Sequence, residues 1–380
     1  MKIDIIGSYP PPYGGMSIHV QRLSEHLEKI GINHTIYDTT ALRNAQALPR
    51  KGKHVVAITS PLKWLLKYFF QNDADLVYLC VGSSWKLRLY FGLIIGLIRR
   101  KKVIIVIGGN DLSWPYAISC LREPDASFSG KLVTKLVICS LKQASFIVCV
   151  NPDISSLMLS LGIKPSRIET IPGFVPPLVK KEDMTEIPQE VWGFIENHSP
   201  IISANAFRIR FYQNQDLYGI DMCIELCASL KSAYPQIGFV FNLPDIGDYD
   251  YFNELKRRIT EKGIEDNFLF QTEPYQFYPI LMKSDVFVRP TNTDGDAVSL
   301  REALYLKTPS VASDVVPRPE GTVLFKNRDV ADFIARVKMV WDNYGYYKSK
   351  MESLEVENGL SKILEMYRRL ASKSKVSHNC

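Results

Sequence analysis

DVFVRPTNTDGDAVSLREALYLKTPSVASDVVPRPE, residues Asp285–Glu320, is the stretch whose pattern decides the fold. A short apolar run, Val286–Val288, reads as a buried strand ending at Arg289-Pro290. A polar loop containing Gly295 follows, then a helix predicted over Val298–Leu306, then a second strand at Ser310–Ala312. This strand–loop–helix–strand order is the unit of a parallel sheet covered by helices. In open sheets of this kind, ligands sit outside the carboxyl ends of the strands. A helix start placed there offers unpaired N–H groups and about half a positive charge, which suits a diphosphate. Gly295 lets the backbone come close to such a ligand. Asp294 and Glu302 flank the helix start with seven residues between them, and both can accept hydrogen bonds from ligand hydroxyls. Taken alone, these residues equally fit a helix capped by Asp294 or Asp296 with Glu302 on its surface. Asp294-Gly295-Asp296 also has the form of a DxD pair holding a divalent cation on a diphosphate.

The same alternation runs through the rest of the chain. Lys2–Ile6 reads as a strand closed by the Pro/Gly-rich loop Tyr9–Gly15. Met16, Val20, Leu23, Leu27 and Ile30 recur at helical spacing after it. Further strands are expected at Val55–Thr59, Leu76–Cys80, Val103–Ile107 and Phe146–Val150. Prolines and mixed charge between Ile171 and Pro200 mark a linker. Strands then resume at Ile201–Asn205, Gly238–Phe241 and Phe268–Phe270, with a helix over Gly219–Ser232. At 380 residues the chain exceeds what one core comfortably serves. The expected fold is α/β with two Rossmann-like, doubly wound domains facing a central cleft. The expected boundaries are residues 1–175 for the N-terminal domain, 176–199 for a linker and 200–345 for the C-terminal domain. A helical segment, 346–380, is expected to pack back on the N-terminal domain.

Composition removes several function classes. A net charge of +6 with no nucleic-acid motif argues against a nucleic-acid partner. The seven cysteines form no CxxC pair and no Cys/His cluster, which speaks against structural zinc and suits a reducing compartment. The position of a GxGxxG fingerprint holds PPPYGG, so a dehydrogenase reading is weak, and no GxxxxGK[ST] loop is present. The opening MKIDIIGSYPPPYGG turns polar too soon for a signal peptide, so a cytoplasmic location is expected. Leu87–Ile98 is almost wholly apolar and runs into Arg99-Arg100-Lys101-Lys102; too short to span a bilayer, it reads as a core helix or as one touching the inner face of the membrane. Trp64, Trp85 and Trp114 read as packing residues.

The arrangement resembles the retaining GT-B glycosyltransferases of the large family four. Those proteins carry an acid–x7–Glu motif ahead of a helix and a following Gly-x-Pro-Val-Val-Ala-type strand. Here Asp294–x7–Glu302 is followed by Lys307-Thr308-Pro309-Ser310-Val311-Ala312. Pro11-Pro12-Tyr13-Gly14-Gly15-Met16-Ser17 is similar to the family's Gly-Gly loop, and Asn151-Pro152 and Ile171-Pro172-Gly173 match further landmarks. The resemblance implies retaining transfer of a hexose-type sugar from a nucleoside-diphosphate sugar to a glycan or lipid-linked acceptor, in cell-surface polysaccharide synthesis. It implies neither cofactor nor metal. By the same resemblance Asp294 faces the sugar, Glu302 the ribose, and Ala297, Val298 and Ser299 line the phosphates, with Gly295 and Asp296 also in the donor site. Gly14 and Gly15 approach the donor phosphate.

Three departures stand out. The first acid is Asp294 where the family commonly has Glu, a shorter arm suited to a different donor sugar. The Arg-x4-Lys diphosphate clamp is not intact: Tyr218 stands where Lys is expected, leaving Arg208 or Arg210, with Arg289, to supply charge. Gly108 stands where the family often has His, which leaves His19, Asn110 and Asp111 as candidate acceptor contacts. Loss of the clamp also fits a non-catalytic sugar- or nucleotide-binding homologue.

Overall fold

The computed structural model describes residues 1–11, 13–40, 53–71, 73–81, 101–108, 135 and 137–376. It divides into two compact units, residues 1–175 with 358–380, and residues 176–357. Residues 176–199, read above as a linker, carry the helices Lys181–Glu186 and Gln189–Asn197 and fall in the second unit. The C-terminal segment is divided between the two, its last helix, Gly359–Val376, belonging to the first unit.

The first unit is built on seven parallel strands: β1 (Lys2–Gly7), β2 (Asn33–Asp38), β3 (Val55–Ala57), β4 (Leu76–Val81), β5 (Lys102–Ile107), β6 (Phe146–Cys149) and β7 (Ile168–Thr170). Their order is β3-β2-β1-β4-β5-β6-β7, so the winding reverses between β1 and β4. Strands such as KIDIIG and KVIIVI are apolar at nearly every position because both faces of the sheet are covered. β2 was not legible because its sequence, NHTIYD, is polar; His34 is buried there by bonding Ser24 at 2.6 Å. The helix Gly15–Lys29 buries Val20, Leu23 and Leu27 completely, about 1.5–3 kcal/mol each by transfer. From the last helix, Ile363, Met366, Tyr367 and Leu370 enter the same core.

The second unit has six parallel strands in the order β12-β11-β8-β13-β14-β15. They are β8 (Ile201–Asn205), β11 (Gly238–Asn242), β12 (Phe268–Gln271), β13 (Val286–Arg289), β14 (Ser310–Ser313) and β15 (Val323–Phe325); a small antiparallel hairpin, β9 (Phe211–Tyr212) and β10 (Gln215–Asp216), follows β8. Side chains alternate between two cores. Ile202, Phe239, Phe241, Val286 and Val288 point to one, while Ile201, Val240, Phe287 and Ala312 point to the other. The helix Val298–Tyr305 packs on this second face through Leu300 and Ala303. The winding reverses between β8 and β13, which are neighbours: Val286 pairs with Ile202 and Phe287 with Ser203. Both units are therefore doubly wound Rossmann-like lobes, the pair of folds that defines GT-B architecture.

Candidate functional site

β8 and β13 end side by side at the switch point of the second sheet, and polar groups converge there. Arg289, the last residue of β13, grips Asp294 with two bonds, Nε to Oδ2 at 3.0 Å and Nη2 to Oδ1 at 3.2 Å. Arg318 donates to the same Oδ2 at 2.8 Å and to Thr291 Oγ1 at 3.1 Å. Thr291 Oγ1 and the Gly295 amide complete the shell around the carboxylate. Arg318 is itself fixed by the Ser313 carbonyl at the end of β14. The side chains of Arg289, Asp294 and Arg318 are 12%, 9% and 1% exposed. Burial by itself would raise the Asp294 pKa, but the two guanidiniums reverse that and hold it well below the ordinary carboxylate range. One carboxylate against two guanidiniums leaves this cluster with a net positive charge.

The outer edge of Arg289 is less committed. Nη1 makes only long bonds, to Asn205 O at 3.3 Å, Asn205 Oδ1 at 3.4 Å and Ser299 Oγ at 3.3 Å. Its guanidinium lies 5.5 Å from the centroid of the Tyr218 ring. Tyr218 thus stands where a Lys was expected and seats an arginine instead.

Helix starts in this unit fall into two kinds. Ile220–Lys231 begins on Asp216, whose carboxylate accepts from the Tyr218, Gly219 and Ile220 amides at 2.9, 3.2 and 2.9 Å. Tyr249–Glu261 and Val330–Asp342 are capped by Asp248 and Asp329. The helix Val298–Tyr305 starts at Ala297 with no side-chain cap, although Asp294 and Asp296 are close in sequence. Asp294 is held by arginines, and Asp296 bonds Arg301 Nε at 2.5 Å. The first turn of this helix, Val298 and Ser299, therefore retains the anion-binding character of an uncapped N-terminus.

Burial pushes the Asp216 carboxyl up to about 6, with Asp221 adding to the effect and the amide donors opposing it. Folded Asp216 thus holds its proton more tightly than the unfolded chain, whose value is 3.8. Its contribution to stability is fully present below about pH 4 and is lost as pH rises through about 6. Asp216→Asn keeps an acceptor oxygen for the amides and should remove this dependence. The melting temperature of the variant relative to the native chain is expected to rise between about pH 4 and pH 7; a constant difference would contradict the assignment.

The hairpin β9–β10 is sewn to the site. Asn292 N bonds Leu217 O at 3.0 Å and Asn292 Nδ2 bonds Tyr212 O at 3.3 Å. Gly219 has φ +66°, and a Cβ there would meet Pro290 O at 2.4 Å. Gly219→Ala is therefore expected to cost about 2–4 kcal/mol, the sum of left-handed strain and overpacking. Urea unfolding measures it, and a loss near zero would show that the backbone moves freely.

The remaining expected residues have these places. Glu302 is buried in the helix at 4% exposure, not on its surface. Arg208 forms an ion pair with Asp245, with Gly247 packed against its stem. Arg210 is exposed and, among the described residues, has no ion-pair partner. Gly14 has an ordinary extended φ of −101°, its N–H bonded to Ser17 Oγ at 2.9 Å. A Cβ at position 108 would lie 2.1 Å from the Met16 sulfur, so a side chain there requires the flexible Met16 thioether to shift. Asn110, Asp111, Trp85, Trp114 and Leu87–Ile98 lie outside the described residues.

His19, expected on the acceptor side, is 3% exposed in the core of the first unit. Its Nδ1 donates to Gly173 O at 2.8 Å, so Nε2 is the unprotonated nitrogen and accepts from the Tyr78 hydroxyl at 2.9 Å. Burial lowers its pKa and keeps the ring neutral. With Arg22, which bonds Val175 O at 3.2 Å, it fixes the strand-exit segment 173–175 to the first helix. Both nitrogens are engaged, so the observed role is structural.

Among the described residues, no group of three or more His, Cys, Asp or Glu is placed to hold a metal ion. No helix among them is long and apolar enough to cross a membrane.

Comparison with known proteins agrees with the geometry. Residues 13–177 match the family described as Glycosyltransferase Family 4, and residues 210–344 match Glycosyl transferases group 1. Fold and domain content together define a glycosyltransferase-type enzyme of the GT-B fold. More particularly, the chain is family-4-like, with one matching domain in each lobe. Similar solved structures include Alr3699/HepE from Anabaena in complex with UDP (13% identity, TM-score 0.64, 98% of this chain and 100% of that one). Sucrose-phosphate synthase tll1590 from Thermosynechococcus elongatus is also similar (14%, 0.66, 98% and 100%), as is a glycosyltransferase from Rickettsia africae (12%, 0.64, 97% and 98%). At these identities the likeness is one of fold. No curated protein matches in sequence.

Proposed function

We propose that this protein transfers a sugar from a nucleoside-diphosphate sugar to a glycan or lipid-linked acceptor, with retention and without a metal. The observation that carries the reading is the net-positive Arg289–Asp294–Arg318 cluster beside a helix start without a side-chain cap, at the switch point of the second sheet. The diphosphate is assigned to the amides of Val298 and Ser299 and to Arg289 Nη1, with Arg210 as an outer charge. Held in place before the reaction, these donors would stabilise the negative charge that grows on the leaving diphosphate. Both carboxylates of Asp294-Gly295-Asp296 face guanidiniums, which favours a cationic clamp over a metal DxD. Glu302 is assigned to the ribose. The Asp294 carboxylate has its oxygens engaged by arginines, so its part is first to set Arg289 and only through it to shape the sugar pocket. From the family resemblance, Gly14 and Gly15 are assigned to the donor phosphate and Asn110 and Asp111 to the acceptor. Support for a uridine nucleotide comes from the Anabaena neighbours, which were solved with UDP and with UDP-glucose.

The test is transfer of radiolabelled sugar from a panel of sugar nucleotides to lipid-linked acceptors, with and without EDTA. Transfer that survives EDTA and preserves anomeric configuration supports the proposal. Complete metal dependence, or neither transfer nor hydrolysis with any donor, contradicts it.

A further inference from the structure

Among the described residues, the helix Pro61–Gln71, sequence PLKWLLKYFFQ, is held to the first unit by one face. Trp64 and Tyr68 are buried and stack on each other at 4.7 Å, and both ring-pack against Tyr37 of β2 at 5.4 and 5.3 Å. Its other side carries four large apolar side chains into solvent: Leu62 at 69% exposure, Leu66 at 56%, Phe69 at 54% and Phe70 at 78%. At about 100° per residue these four fall within one arc of roughly 100°. Lys63 and Lys67, both exposed, continue that arc on one flank. The helix contains no acidic residue. Asp73 and Asp75, just past its end, are occupied by Lys2 and by the chain's N-terminal amine.

Isolated exposed apolar residues need no explanation, but a contiguous patch on one helix does. An apolar stripe with aromatic side chains, bordered by lysines and free of acids, is the composition of a helix that lies in a bilayer interface. The apolar side chains enter the acyl boundary while the lysines meet anionic headgroups. We infer that Pro61–Gln71 docks the first unit on an anionic lipid surface. The flanking lysines select this occupant: a second copy of the same face would bring Lys63 and Lys67 toward their own counterparts. Of the basic run Arg99-Arg100-Lys101-Lys102, the described residues Lys101 and Lys102 are engaged by the protein itself. Lys101 donates to the Ala74 carbonyl and Lys102 to the Leu370 carbonyl. The inference does not depend on glycosyl transfer, since vesicle binding requires no donor.

Flotation of the full chain with vesicles of phosphatidylcholine alone, or with about one third phosphatidylglycerol, tests it. Binding is expected only to the anionic vesicles and should weaken as salt is raised. Leu66→Ser with Phe70→Ser should lower the bound fraction at least about tenfold, with unchanged circular dichroism and melting temperature. Lys63→Gln with Lys67→Gln should lower it by roughly five- to thirtyfold, from about fivefold per lysine. Binding that persists in the serine variant overturns the inference, as does a native chain that ignores both vesicle types. So does light scattering that finds a native dimer dissociated by the serine substitutions, because the face would then belong to a second copy.

Discussion

Asp294→Ala is expected to abolish sugar transfer and to destabilise the second unit by about 3–5 kcal/mol, the usual cost of removing one partner from a buried ion pair. Arg289 and Arg318 both depend on this carboxylate, and the Arg318 side chain is almost wholly buried. Without it two guanidiniums face each other, and Arg289 loses the bidentate grip that sets the direction of its outer edge. Asp294→Glu separates charge from shape. It keeps the negative charge, so the unit should remain folded, while the longer arm displaces Arg289 and changes the preference among donor sugars. Chemical unfolding together with a donor panel distinguishes the outcomes. A stable, fully active alanine variant would show that the cluster neither holds the fold nor serves the reaction.

Glu302→Ala should have the second largest effect, a loss of donor affinity of about ten- to a hundredfold. Glu302 is a carboxylic residue buried within the helix that begins at the proposed diphosphate site. Hydrogen bonds to charged groups contribute about 1.5–3 kcal/mol, which sets that range. Because a ribose contact is made equally in the ground and transition states, the change should fall on donor KM with kcat nearly unaffected. Unchanged donor kinetics would remove Glu302 from the ribose.

Much of this site could be read from residues 285–320, because its parts are local. A strand, a Gly-containing loop and a helix in one continuous segment bring Arg289, Asp294, Gly295 and Ser299 together through short connections. What escaped the sequence depends on distant chain. Arg318 reaches Asp294 from a loop beyond the next strand, and Asn205 meets Arg289 only because β8 and β13 are neighbours. No spacing rule encodes either pairing. Tyr218 reads as a lost lysine until its ring is seen against Arg289. Asp216 gave no signal as a cap, because it lies in the hairpin β9–β10 and reaches the amides two, three and four residues on from outside the helix. His19 was legible in hindsight, four residues before the buried Leu23 and so near the apolar face of its helix. The exposed stripe on Pro61–Gln71 was hidden for the opposite reason: its apolar residues surround the helix, and only packing reveals which of them face the core.

A nucleoside diphosphate is expected to bind where β13 ends, on Arg289 and the first turn of the helix Val298–Tyr305. Calorimetric titration of the full chain with UDP, GDP, ADP and dTDP, and with the corresponding nucleosides, tests it most directly when repeated on Arg289→Ala. At least one diphosphate should bind, its nucleoside should bind far more weakly, and Arg289→Ala should weaken the diphosphate by at least about tenfold. A nucleoside that binds as tightly as its diphosphate, or an Arg289→Ala variant with native affinity, would contradict a diphosphate site on Arg289.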